Sequence, residues 1–166
     1  VCGAMREAQG RWARRDRDGV EVHEFDRHLV SSEGQHDGLY WPPGEGEELS
    51  PFGPLAAYAQ TEGYKGSTPE RPEPFHGYYL RILARQGKHA PGGKHDYIIN
   101  GNMVAGFALV AWPAQWNESG VMTFIVNQQG KVVQNNLGPQ TATIASRLKA
   151  YDPDGKIGRG SCRERV

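Results

Sequence analysis

Cysteine is nearly absent from this 166-residue chain, which holds only Cys2 and Cys162. Two thiols at opposite ends cannot build a disulfide framework or a multi-thiolate metal site. Long apolar runs are missing as well, and no stretch approaches the ~20 residues a membrane helix needs. Nor does charge of one sign prevail, since Lys plus Arg and Asp plus Glu both number 19. No global field therefore draws the chain to nucleic acid or to an anionic bilayer. The one basic cluster, RWARRDR, is offset by Asp16 and Asp18 and lacks an aromatic platform, so no nucleic-acid partner is expected. There is no G-x-S-x-G nucleophile elbow and no G-x-G-x-x-G turn after a strand, which removes the commonest serine-hydrolase and dinucleotide signatures.

What remains is a turn-rich globular composition, with 22 Gly, 11 Pro and 37% hydrophobic residues. That length suits one domain with a sizeable core. The chain starts at Val1 rather than Met and is expected to be the C-terminal part of a longer protein. From Ile157 it reads IGRGSCRERV, without apolar period, in the manner of a translated sequencing adapter. We expect a single domain over 1–156 and a non-native tail over 157–166. Without that tail Cys2 is the sole thiol and the charge balance turns slightly acidic.

The N-terminal third has helical period. Ala4, Ala8 and Trp12 recur every fourth residue, with Met5 beside them, and Asp18-Gly19 offers an end. VEVHEFDRHLVS places Val22, Phe25 and Leu29 on one helical stripe. A long loop rich in Gly and Pro follows, in which Leu39-Tyr40-Trp41 is too apolar to be mere linker. LAAYAQTEGY gives a short helix, and KGSTPERPEPF a Pro-punctuated crossing.

From Phe75 the period becomes two. GYYLRILARQG alternates over both faces with arginines on one of them, so one face is expected to be wet. Asn100-Gly101 suits a type I′ hairpin, GFALVAW a central strand, and Gln128-Gln129-Gly130 a second hairpin. Pro139 opens a last helix whose stripe is Ile144, Leu148 and Tyr151, ending before Asp152-Pro153. The expected fold is α+β: N-terminal helices on an antiparallel β-meander of about four or five strands, with a C-terminal helix.

Several constellations fall short of chemistry. His23-Glu24 and His28 imitate a zincin motif, but the second His falls one residue late, and two rings ~140° apart on a helix cannot share a metal. Asp16, Asp18, Gly19, Glu21 and Glu24 retain only part of a calcium loop; helix capping and turn chemistry explain them better. No metal or cofactor is expected. His36-Asp37, His76 and His95-Asp96 are the loop-borne groups a hydrolase would use, and that is the alternative reading. The aromatic residues Tyr40, Trp41, Tyr78, Tyr79, Trp112 and Trp116 stand at strand ends or in loops. They either seal a small core or form a binding surface for a glycan, a peptide or an envelope protein.

HDGLYWP, SPFGPL, HGYYLRIL, APGG, GFALVAWPA, SGVMTFIVN, LGPQTA and YDPD together, in this order, resemble DUF2950, a family of bacterial envelope proteins normally longer at the amino end. The resemblance spans about residues 2–155 and implies an exported protein, periplasmic or extracellular, with no catalytic activity to carry over. The loop at Asp16 is shorter than that pattern. The order of helix, GYY strand, FALVAWPA strand and TFIVNQQGKVV hairpin is more loosely similar to type IV pilin-like and pseudopilin globular domains, although the long apolar pilin stem is lacking. The function expected is that of an envelope binding or structural module rather than an enzyme.

Overall fold

The structure is a computed structural model that describes residues 2–14, 23–42, 44, 50–53 and 72–153. The expected 55–64 helix, the Asp16–Asp18 loop and the tail from Ile157 lie outside the described residues.

Helix α1, Cys2–Ala13, buries Met5, Ala8 and Trp12, as their spacing predicts, and with them the polar Gln9. The chain then forms no second helix over 23–30. Its backbone groups bond elsewhere: Phe25 N–H donates to the Met103 carbonyl at 2.8 Å, and the Asp26 carboxylate turns the chain by accepting from His28 N–H at 2.9 Å. The stripe fails because Phe25 and Leu29 belong to different cores.

Four strands make the main sheet: β1 (Tyr78–Leu83), β6 (Ala108–Pro113), β7 (Thr123–Asn127) and β8 (Val132–Asn135), in that order and all antiparallel. Two excursions separate β1 from β6. The first pairs β2 (Arg85–Gln86) with β3 (His95–Asp96), the second β4 (Ile98–Ile99) with β5 (Asn102–Met103). The second turns on Asn100 and Gly101, with φ of 50° and 87°, as a type I′ hairpin requires. Between β7 and β8, Gly130 takes φ 76° and the Asn127 carboxamide accepts from Lys131 N–H at 3.0 Å.

Register explains why the central run is apolar throughout. Ile82, Leu109, Val126 and Val132 stand in one row across the sheet, facing α1 together with Leu29, Leu39, Tyr40, Trp41 and Phe52. The neighbouring row, Arg81, Val110, Ile125 and Val133, faces Met103, Phe107, Tyr97 and Tyr151. Both faces are covered, which corrects the expectation of a wet side. Arg81 is half-buried rather than free in solvent; its guanidinium donates to the Ala145 and Leu148 carbonyls at 3.0 and 2.5 Å. Those carbonyls end helix α2, Thr141–Arg147, which a 3-10 turn at Gly138–Gln140 introduces. This helix is shorter than its apolar spacing predicts. It buries Thr141 and Ala145, exposes Ile144, and stops where Leu148 turns extended at ψ 124°.

Candidate functional site

A groove runs along the outer edge of β1. It is shallow, with a cavity volume of about 40 Å³, and is lined by Leu29, Val30, Tyr40, Phe52, Pro72, Glu73, Phe75, Tyr78, Tyr79 and Leu80. Successive strand residues point to opposite faces, so a groove touched by Tyr78, Tyr79 and Leu80 together must follow the strand's edge rather than one face. β1 is the terminal strand of the sheet's order, and among the described residues only β6 pairs along its length.

The chain enters β1 through a two-residue turn. Phe75 and Tyr78 exchange backbone hydrogen bonds at 2.7 and 3.0 Å, while His76 and Gly77 take φ of 47° and 76°. That places Phe75, itself buried, at the groove's end, with its ring 5.6 Å from Phe52. The far wall comes from the loop at 28–41. There Asp37 accepts from both Ser32 N–H and Ser32 Oγ, at 2.8 and 3.0 Å, and Ser31 Oγ accepts from Gly38 N–H at 2.9 Å. The Ser32 N–H holds the Asp37 carboxyl below the ordinary carboxylate range. Ser31 N–H donates to the Tyr40 carbonyl at 2.8 Å, which aligns Val30 beside Tyr40. A side chain at Gly38 would run into the backbone of Val30 and Ser31, so the crossing needs glycine there.

Of the six aromatic candidates, the structure brings Tyr40, Tyr78 and Tyr79 together at this groove. Tyr40 supplies a nearly buried floor, 4% exposed. Tyr78 is half-buried; its ring lies against Gly120 and 6.0 Å from Phe124, and burial raises its phenol pKa. Trp41 is buried beneath His36, whose ring stacks on it at 4.3 Å. Trp112 stands on the other sheet face, 5.8 Å from the Tyr79 ring and packed on the second core. Trp116 ties the loop after β6 to the end of β8 by donating its indole N–H to Asn136 at 2.9 Å. Sequence reasoning did not single out Leu29, Val30, Phe52, Phe75 or Leu80 as lining a site. The signal that was there is the run Tyr78-Tyr79-Leu80 on the first strand of the meander.

The histidines are dispersed and exposed. His36 lies on Trp41, His76 sits in the turn before β1, and His95 meets the edge of Tyr97 at 5.5 Å. Asp96 pairs with Arg85 at 3.1 Å, and Asp37 with Ser32. His89 and Asp152 do come together, Nδ1 to Oδ1 at 3.0 Å. Serine hydroxyls point elsewhere: Ser119 donates to the Gln115 carbonyl and Ser146 to that of Thr143. Among the described residues no group of three or more His, Cys, Asp or Glu could hold a metal ion. Nor is any described helix long and apolar enough to cross a membrane.

Fold and groove thus define an α+β domain with a covered antiparallel sheet and one grooved edge. A family model described as a protein of unknown function, DUF2950, matches residues 1–158, and the chain belongs to that family. No curated protein matches it, and no solved structure does.

Proposed function

We propose that this chain is a non-catalytic binding module of the bacterial cell envelope that takes an extended peptide segment of a partner protein along β1. The observation that carries this reading is the groove itself, which pairs an edge strand with an aromatic lining. An extended peptide laid on such an edge gains main-chain hydrogen bonds from the strand and side-chain contacts from the pocket beside it. Tyr40 and Tyr78 are the contact residues. Trp41, Trp112 and Trp116 serve the fold around them. A periplasmic or extracellular location is part of this proposal and rests on the family resemblance alone.

Titrating isotope-labelled protein with proline-containing decapeptides tests the groove by amide shifts. Saturable shifts at residues 75–80 and near Tyr40 are expected. Shifts confined to the opposite sheet face, or cleavage of the peptide, would overturn the reading. Location is tested separately, by fusing the full-length gene product to a reporter active only outside the cytoplasm; a silent reporter refutes export. The hydrolase alternative has one favourable observation, the His89–Asp152 pair. Loss of a measured hydrolysis on His89→Ala would revive it.

A further inference from the structure

A second feature, in the loop that joins β2 to β3, shares no residue with the groove's lining. Gln86 is buried, 2% exposed, at the base of this loop. Its side-chain amide donates to the Pro91 and Gly93 carbonyls, both at 2.7 Å, and its Oε1 accepts from the Tyr97 hydroxyl at 3.1 Å. The described peptide bonds are all trans. In a trans peptide the carbonyl and the following N–H point in opposite directions. Two carbonyls drawn inward by one amide therefore turn the N–H groups of Gly92 and Lys94 away from that amide. Gly92 and Gly93, with φ of 88° and 74°, permit that path.

The surroundings are cationic. From Gly87 to His95 there is no acidic residue, and Lys88, His89, Lys94 and His95 are all exposed. Two described carboxylates that flank it are paired, Asp96 with Arg85 at 3.1 Å and Asp152 with the ring and N–H of His89 at 3.0 and 2.9 Å. Among the described residues no carboxylate pairs with Lys88 or Lys94. The His95 ring flanks Gly92, its Cε1 4.0 Å from where a Cβ would stand. Amide donors held in advance, beside ammonium groups, form the arrangement by which loops take oxyanions.

We propose that the Gly87–His95 loop is a binding site for phosphate groups, with the Gly92 and Lys94 amides as fixed donors, Lys88 and Lys94 as charge and the His95 ring beside them. The site is independent of the peptide groove, and failure of either leaves the other standing. Isotope-labelled protein titrated with inorganic phosphate at constant ionic strength tests it. Saturable shifts at the Gly92 and Lys94 amides are expected, absent with chloride and at least tenfold weaker in Lys88→Gln/Lys94→Gln. Both substitutions are on exposed side chains, and circular dichroism verifies that the variant folds. No saturable shift at those amides, or an undiminished shift in the variant, overturns the proposal. A parallel arm with vesicles identifies the source. Retention on phosphatidylglycerol vesicles, lost in the variant, assigns a lipid headgroup; shifts with inorganic phosphate alone assign a small soluble phosphate.

Discussion

Gln9 and Gln86 are buried side-chain amides that hold irregular backbone from opposite sides of the sheet. Gln9 meets a single residue with both ends of its amide, accepting from Asp26 N–H at 2.8 Å and donating to the Asp26 carbonyl at 2.9 Å. A carboxamide can mimic the partner strand that this segment does not have. Gln9→Leu keeps the volume but leaves both backbone groups buried without partners, which costs about 2–4 kcal/mol. Urea unfolding measures it; a loss below about 0.5 kcal/mol would mean that water replaces the amide. Gly120 acts through space rather than bonding. A Cβ there would fall on the Tyr78 hydroxyl and 2.7 Å from its ring carbon Cζ. Gly120→Ala should destabilise by about 1–3 kcal/mol through the displaced ring. The same displacement should weaken peptide binding in the groove more than phosphate binding at the Gly87–His95 loop, and equal losses at both would refute the local account.

Among the elements, α2 depends most on one distant residue. Its seven residues are too few to be stable alone, and its last carbonyls are satisfied from the sheet by Arg81. Burial lowers the Arg81 pKa without neutralising so strong a base. Arg81→Met retains the aliphatic stem and removes the donors. Hydrogen exchange should then accelerate across 141–151 well before β6 and β7, with a stability loss of about 1.5–3 kcal/mol; uniform acceleration would show that α2 is not separately anchored. Sequence periodicity located the strands well because their signals were local: Asn100-Gly101 dictates its turn, and an apolar run between two hairpins must be central. It misjudged the 23–30 segment because Phe25 and Leu29 keep helical spacing while they serve two different cores. α2 was overextended for a related reason. Ile144, Leu148 and Tyr151 share a spacing, yet Tyr151 is fixed beyond the helix by exchanging backbone bonds with Arg85 and Gly87. The groove was the least legible feature, because residues near 30, 40, 52 and 75 meet only once the sheet edge exists. Buried amides such as Gln86 carry no pattern at all.

For the whole molecule, a sheet covered on both faces makes its stability sensitive to groups sealed inside either layer. Tyr97 and Tyr151 are fully buried in the second core. Burial first, and then the neighbouring Tyr151 phenol, push the Tyr97 pKa up to about 12. The Tyr151 and Tyr78 phenols are raised by burial in the same direction. A phenol ionises near pH 10 once unfolded, so the fold favours the neutral form. This contribution is complete below about pH 10 and drains away as pH rises towards 12. For Tyr97 alone it reaches about 2–3 kcal/mol. The urea midpoint should hence fall steeply over that window. Tyr97→Phe separates this from general alkaline damage. It removes the hydrogen bond to Gln86 and so starts about 1 kcal/mol lower at neutral pH. Having no proton to lose at that position, it should then decline less than the parent between about pH 9 and 11.5. Parallel curves for the two proteins would show that the buried Tyr97 phenol does not control alkaline unfolding, and that the charge released there comes from elsewhere in the molecule.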